Sequence, residues 1–566
     1  MNGKVTNGYH PTARTNIETF FSKKEQRIAD QFASEWYITV ADTIQIGTST
    51  YRYLSLKPTI HLEETLNISK EIIALLSPYS NFEARTLNTF EIVCKIIGPN
   101  RIEQLCYILI SADENIVDDI KPFITDKESQ IVVPISYSEM LKNIGDGHFI
   151  RKQFWKYFYS RDLFDFTGPL KKDLYFFGRS SLSVEIIDKH KSYQLFGVFG
   201  LRRSGKTSII YDVIRRASSS DALGVLIDCE NTSFNFKHWN LALYYVVYRA
   251  YDDANQSSNL VDANDFSETN AALAFERYIV SLAMLTDKSI LLLFDEIENI
   301  TFGKSTVKHW CEGLDFVYFW QSIRSAYQHT NGEFSFCILG TNALCVEVPT
   351  ILEKDNPIFN AFEPKYIQGF KQEQTREMVR KLGKLMGLNF DEGIYSRLTE
   401  DYGGHPFLIR QVCSRIAKEY QSRPVFIDRL KYIKVRDVFN KETTYFDMLL
   451  KVLEQFYKDE LEMLELLAVG ELETFYYYAN QDYSLVKHLI GYGIIRTTDG
   501  EFDFQIDAIK EYLLKKKSQL LKKLTPTEKW SAVCVARGSL ETELRKMVKT
   551  ILRIAYCTEA AAKEAV

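Results

Sequence analysis

Between residues 195 and 370, short runs of apolar residues alternate with longer stretches whose apolar positions recur every three or four residues. The runs are 195–199 (LFGVF), 224–229 (GVLIDC), 290–294 (ILLLF), 334–339 (FSFCIL) and 366–370 (YIQGF). Runs of that length predict strands buried on both faces, and strands alternating with helices predict a parallel sheet covered on both sides. The polar stretch 252–270 predicts a surface loop. Upstream, 105–110 (LCYILI) and 131–135 (IVVPI) predict two more buried strands joined by an acidic, amphipathic connection. After residue 372 the pattern becomes mainly helical. Residues 494–504 (IIRTTDGEFDF) predict a hairpin turning on Asp499 and Gly500.

Residues 157–172 carry a Gly168-Pro169 turn inside a charge cluster, which predicts a boundary. Composition narrows the class. Of 566 residues, 46% are hydrophobic and 25% charged, an ordinary balance for a soluble globular chain that excludes collagen and bulk disorder. The 69 basic and 74 acidic residues nearly cancel, at −5, which argues against a wholesale polyanion binder. Nine cysteines, none spaced Cys-x-x-Cys, indicate neither a zinc ribbon nor a disulfide framework. The N-terminus has no apolar stretch behind its charges, and no apolar run approaches the ~18 residues of a membrane span. A cytoplasmic chain without membrane segments is expected.

The sharpest chemical signal is residues 200–207, GLRRSGKT, a full match to G-x-x-x-x-G-K-[ST]. It lies between a predicted strand and a predicted helix, the context its mechanism needs. Gly200 and Gly205 permit the dihedrals that turn successive N–H groups inward at a helix N-terminus. Lys206 then reaches the β- and γ-phosphates, and the Thr207 hydroxyl ligates Mg²⁺. A second signal is 289–297, SILLLFDEI, a strand ending in two carboxylates. Such a strand delivers its C-terminal end to the crevice where ligands bind. Asp295 is the candidate Mg²⁺ ligand, and Glu296 the group that orients and polarises the attacking water. Read as helix caps, Glu298 and Asn299 have no part in that chemistry.

Together these residues resemble the P-loop ATPases of the AAA+ and STAND group, particularly the prokaryotic "archaeal ATPase" family. Phe176–Arg179 (FFGR) is similar to the group's Phe-x-Gly-Arg box, GLRRSGKTS to its phosphate signature, and 403–406 (GGHP) to its Gly-x-Pro motif. Residues 338–342 (ILGTN) end a strand where the family places its γ-phosphate sensor. Family members often carry Ser or Arg where Thr341 and Asn342 stand. The resemblance, over about 174–420, implies a central parallel-sheet P-loop (ASCE) NTPase of α/β class that binds ATP and Mg²⁺ and hydrolyses ATP slowly. It implies nucleotide contacts from Gly200, Leu201, Arg202, Arg203, Ser204, Gly205, Lys206, Thr207 and Ser208, with Arg179 and Pro406 on the adenine side. Lys206, Glu296, Thr341 and Asn342 take the catalytic and sensing roles, and Thr207 and Asp295 the metal. Arg324 is a candidate trans-acting arginine and Arg410 a cis sensor.

The expected organisation is an N-terminal α/β domain (1–164) of sensor or effector role, the NTPase core (165–371), a helical lid (372–424), a winged-helix domain (425–529) and a helical C-terminal segment (530–566). Helix, helix, hairpin over 461–514 is the order of a winged helix. Its recognition stretch 484–492 offers Lys487 and His488 as polar contacts, which is poor for reading DNA. DNA is therefore a less favoured partner than a protein trigger or a second copy of the chain. The first reading is an ATP-hydrolysing signalling switch that changes shape or oligomerises; the resemblance alone suggests bacterial stress or phage defence. The second is an ATP-dependent DNA-binding regulator or loader. The third is an effector enzyme with its centre in 1–164, where Asp113, Glu114, Asp118 and Asp119 fit a helix start and no nuclease-like acid pair is evident.

Overall fold

The computed structural model describes residues 6–523 apart from 67, 125–129, 160 and 331, and scattered positions between 527 and 551. The N-terminal sheet contains β1 (Gly8–Tyr9), β2 (Trp36–Ile46), β3 (Ser49–Pro58), β4 (Ile72–Ser77), β5 (Cys106–Ser111) and β6 (Ile131–Ser136), side by side in chain order. β3 runs antiparallel to both neighbours and the remaining pairs are parallel. The two buried strands expected here are β5 and β6. The β2–β3 hairpin is not predicted by pattern, because its half-buried strands lack the continuous apolar run that marks the others. Asp113 ties the loop after β5 by accepting from the N–H groups of Phe82 (2.8 Å) and Asn115 (2.8 Å).

The central sheet is built from β7 (Phe196–Phe199), β8 (Ala222–Asp228), β9 (Ser289–Asp295) and β10 (Phe334–Gly340). A two-residue hairpin, β11 (Thr350–Ile351) and β12 (Lys354–Asp355), precedes the fifth strand, β13 (Lys365–Tyr366). The spatial order is β13-β7-β10-β9-β8, and every pair is parallel. Both faces are covered, one by the helices Trp239–Asp253, Ala271–Thr286 and Leu314–His329, the other by Ser180–Lys191 and Lys206–Ser218. The expected strand at 366–370 is shorter than predicted. At Gly369 a β-carbon would stand 1.8 Å from the Gly403 carbonyl oxygen, and Phe370 donates its N–H to Gly404 (2.7 Å). Close backbone packing against 403–404 pulls these residues out of the sheet.

Helices Gln372–Leu385, Glu392–Tyr402 and Pro406–Glu419 come next, closed by the parallel pair β14 (Leu388–Phe390) and β15 (Val425–Ile427). Five further helices, from Arg429–Glu442 to Ser484–Gly491, lead to the hairpin β16 (Ile495–Thr498) and β17 (Glu501–Phe504) and the helix Asp507–Lys523. The hairpin turns where the sequence predicts, with Asp499 and Gly500 at positive φ (53° and 83°). Among described residues of 530–551 the assigned state is helical. The rest of 530–566, including AAAKEA, lies outside the described residues. The N-terminal α/β region shares its core with the C-terminal helices. A single apolar cluster runs from Ala13 and Trp36 through Leu163, Phe164 and Tyr175 to Leu408, Leu453 and Ile509. Among the described residues, no helix is long and apolar enough to cross a membrane.

Candidate nucleotide site

The loop 200–207 joins β7 to the helix Lys206–Ser218. Two residues carry its turn, Arg203 at φ 60° and Gly205 at φ 101°. Gly200 is needed for a different reason: a β-carbon there would lie 2.9 Å from Ser204 Oγ and 3.2 Å from Ile367 Cβ. Its N–H donates to the Gly340 carbonyl (3.1 Å), which locks the loop to the end of β10. The loop therefore opens the helix with its backbone donors at the C-terminal edge of the sheet.

Lys206 is 4% exposed. Its Nζ donates to the carbonyls of Gly200 (3.1 Å) and Leu201 (3.2 Å) and to Thr341 Oγ1 (3.4 Å). The Thr207 hydroxyl donates to Asp295 Oδ2 at 2.6 Å. These two oxygens, one from the helix start and one from the end of β9, form the hard donor set a Mg²⁺ ion prefers. Burial raises the Asp295 carboxyl to about 6, against the pull of the Thr207 hydrogen bond. Burial also raises Glu296 to about 7, opposed by Lys206 and reinforced by the neighbouring Glu298. Glu296 sits at φ 51°, a left-handed turn that breaks the strand directly after Asp295.

The sensor-strand residues lie at the same place. The Glu298 carboxylate accepts the Thr341 N–H (3.1 Å), an approach that Gly340 permits, since a β-carbon there would meet Glu298 Oε2 at 2.7 Å. Glu298 thus braces the end of β10, beyond the helix-cap role the sequence suggested. Asn342 Oδ1 accepts from the Tyr457 hydroxyl (2.7 Å) and the Leu344 N–H (2.8 Å), while its buried Nδ2 has no hydrogen-bond partner among the described residues. The Tyr492 hydroxyl donates to the Thr341 carbonyl at 2.6 Å.

A cavity of about 440 Å³ opens beside the loop, with Gly205, Lys206, Thr207, Ser208, Glu230 and Glu296 at one end. Its other walls are Phe166–Leu170 and Pro406, Phe407 and Arg410. The segment expected to be a domain boundary is thus one side of this cavity. It is held there by Leu170, whose N–H donates to Ser208 Oγ (2.9 Å), and by Arg203, which donates to the Thr167 carbonyl (3.0 Å) and lies over the Phe407 ring. A larger cavity of about 870 Å³, bordered by Tyr193, Arg324 and Phe362, contains none of the phosphate-loop residues.

The remaining residues singled out from the sequence are dispersed. Arg202 is exposed and Ser204 is buried beneath the loop. Arg179 is buried against Phe370, and burial lowers its pKa to about 10; it is not in the wall of the 440 Å³ cavity. Arg324 donates to the Pro357 carbonyl (2.7 Å), away from the phosphate loop. Arg410 donates to the Tyr175 carbonyl (2.7 Å) and faces Phe166. Lys487 pairs with Glu347 (2.6 Å), and His488 is buried between Glu347 and Glu460. Of these two polar groups His488 is buried, whereas Lys487 stays exposed at the surface with its ammonium on Glu347. Phe166–Leu170, Phe407, Glu230, Tyr457 and Tyr492 join the site without having been singled out by motif. Of these, Glu230 carried a usable signal, since it comes after β8 on the edge where Asp295 ends β9.

No protein-family model matches this chain, and no curated protein matches it. Among solved structures it is similar to a Walker-type ATPase of Pyrococcus abyssi, with 15% identity, a TM-score of 0.44, and coverage of 62% of this chain and 99% of that one. It is also similar to the Thermotoga maritima RuvB Holliday junction branch migration motor, at 11% identity and TM-score 0.29 over 62% of this chain and 97% of that one. Domain III of the Thermotoga maritima replication initiation protein DnaA shows 13% identity and TM-score 0.28 over 46% and 92%. Likeness at this level says nothing about chemistry. The residues around the cavity do.

Proposed function

We propose that this chain is a P-loop ATPase that binds ATP with Mg²⁺ in the 440 Å³ cavity, hydrolyses its γ-phosphate, and uses the change as a conformational switch. The observation that carries the reading is that Lys206, Thr207 and Glu296 line that cavity together, with Asp295 hydrogen-bonded to Thr207 and Thr341 to Lys206 directly behind them. The phosphates would lie on the backbone donors of the loop and helix start, with Lys206 shifting from its loop carbonyls to the β- and γ-oxygens. Thr207 and Asp295 would hold Mg²⁺, which neutralises charge on the transferred group. Glu296, held with a pKa of about 7, is suited to accept a proton from water near neutral pH. Phe166–Leu170 and Pro406–Phe407 would sandwich the base, and Asn342 Nδ2 would donate to the γ-phosphate or the attacking water.

The switch part of the reading is supported by what lies behind Thr341 and Asn342. Tyr457 and Tyr492, both in the C-terminal helical region, hydrogen-bond these two residues directly. A shift of Asn342 toward a γ-phosphate must therefore strain or break the Tyr457 contact. In this reading the region around 425–529 is a winged-helix latch seated on the core, and ATP loosens it. Self-association and capture of a protein trigger then become accessible. The alternative of a DNA-binding regulator is disfavoured by the burial of His488 and by the pairing of Lys487 with Glu347, which leave the stretch 484–492 without an unpaired basic group.

The test uses two variants. Lys206→Ala should abolish ATP binding in equilibrium titration, while Glu296→Gln should keep binding and lose about a hundredfold or more of the hydrolysis rate. Normal hydrolysis by Glu296→Gln removes the proposed water-orienting role. Light-scattering mass of Glu296→Gln with and without ATP then tests the switch, for which a nucleotide-dependent change in mass is expected.

A further inference from the structure

Away from the nucleotide cavity, two histidines and an aspartate meet at the ends of three separate elements. His238 is the residue before the helix Trp239–Asp253, His309 lies on the short helix Lys308–Cys311, and Asp315 is in the first turn of Leu314–His329. Among the described residues this is the one group of three His, Cys, Asp or Glu side chains whose ligand atoms all lie within 4.8 Å of one another. Both Nδ1 atoms face the same oxygen, at 2.9 Å for His238 and 2.7 Å for His309, and the two rings stand 4.4 Å apart. The Trp239 N–H donates to that oxygen as well (3.2 Å).

Charge makes this arrangement more than a helix cap. The Asp315 side chain is only 11% exposed, and among the described residues its ion-pair partners are the two histidines, with no lysine or arginine. A buried carboxylate calls for compensating positive charge close to its oxygens. Against the ionised Asp315 carboxylate each Nδ1 is the donor, while the Nε2 of His309 is buried without a hydrogen-bond partner among the described residues. A cation that displaces those two Nδ1 protons meets two imidazole lone pairs and a carboxylate oxygen directed at one point.

We propose that His238 Nδ1, His309 Nδ1 and an Asp315 oxygen form a binding site for a borderline divalent cation, Zn²⁺ in the first instance. Two imidazoles and a carboxylate are the donors Zn²⁺ takes at about 2.0–2.2 Å, and a separation near 3 Å between donors needs little movement to admit it. Mg²⁺ and Ca²⁺, which prefer all-oxygen shells, are poor matches. On binding, the proton that each Nδ1 donates to Asp315 is exchanged through solvent, leaving a neutral imidazole protonated at Nε2, and metal bonds replace the two hydrogen bonds to the carboxylate. The ion would clip the connection after Glu296 to the segment after β8, fixing the chain between the acidic strand end and the helix Leu314–His329. This site is independent of the ATPase reading.

The experiment uses the full chain, stripped with chelator and titrated with ZnCl₂ by calorimetry and thermal melting. His238→Ala is the decisive variant, because that side chain is 66% exposed and its loss should not disturb folding. Asp315→Asn is the second. One equivalent of Zn²⁺ should bind the parent chain and raise its Tm, and affinity should fall at least about tenfold in each variant, since even outer-sphere partners are worth that much. Unchanged affinity and stoichiometry in His238→Ala, or no zinc binding by the parent, overturns the proposal. Co²⁺ substitution checks the donor set: an N/O spectrum supports it, and thiolate charge-transfer bands would place the ion on the cysteines instead.

Discussion

At the scale of single residues, the candidate site depends on small groups that let larger ones approach. Gly340 is one. Its hydrogen sits where a β-carbon would lie 2.6 Å from Ile297 Cγ2 and 2.7 Å from Glu298 Oε2. Gly340→Ala should destabilise the fold by about 1–3 kcal/mol, as overpacking does, and the loss is measurable by urea denaturation. An unchanged midpoint would mean that Glu298 does not brace Thr341. The tyrosine hydroxyls are the second case. Tyr457→Phe and Tyr492→Phe each remove one hydrogen bond to the β10 end, so each should lower stability by about 1 kcal/mol without blocking ATP binding. That Lys206, Thr207, Asp295 and Glu296 come together was legible from type and spacing. Tyr457 and Tyr492 were not, because a tyrosine on an amphipathic helix carries no mark of which neighbour its hydroxyl will find.

At the scale of elements, the contact between the helix Ser484–Gly491 and the segment after β10 is an electrostatic knot. His488 is faced by Glu347, Glu460, Lys487, Tyr366, Tyr457 and Tyr492. Burial alone would lower its pKa, but the hydrogen bonds and charges of Glu347 and Glu460 outweigh burial and raise it above the ordinary 6.5. Glu347 is itself held at about 2 by His488 and Lys487 despite its burial. The raised histidine contributes stability that is complete below pH 6.5 and is lost as pH rises through its folded value. The depressed Glu347 contributes above its ordinary 4.5 and is lost as pH falls toward 2. Between those limits the contact is strongest. The Tm difference between the parent chain and His488→Gln should therefore shrink as pH is raised above 6.5, and a constant difference would refute the charge assignment. Strand prediction found β5 and β6 but missed β4, which is buried at every position, as well as β2 and β3, whose partly buried faces carry a weaker pattern.

At the scale of the whole molecule, one apolar cluster joins the N-terminal sheet, residues 163–177 and the C-terminal helices. Arg410 reinforces the joint by donating to the carbonyls of Leu163 and Tyr175, and Leu163 donates its N–H to Met386 sulfur at 3.3 Å. Elements that share a core unfold together. Calorimetry should show the N-terminal sheet and the C-terminal helices melting in one transition. If the proposed site binds ATP with Mg²⁺, the nucleotide at a hundred times its Kd should stabilise that transition by about 2.7 kcal/mol, because Phe166 and Phe407 of the cavity wall belong to the shared cluster. Separate transitions, with ATP shifting only one, would contradict the shared core.

The amino-acid sequence by itself determined the loop 200–207 between strand and helix, the acidic strand end, the alternation that builds the parallel sheet and the turn of the last hairpin. Each of these is a local matter, decided by dihedral freedom, side-chain chemistry or periodicity over a few neighbouring residues. Only the tertiary structure decided that Phe166–Leu170 forms a cavity wall, that Tyr457 and Tyr492 meet Thr341 and Asn342, and that His238 and His309 converge on Asp315. Those pairings join residues as much as 151 positions apart, as in the bond from Tyr492 to Thr341. They are set by how apolar faces pack in three dimensions, and no window along the chain contains that information.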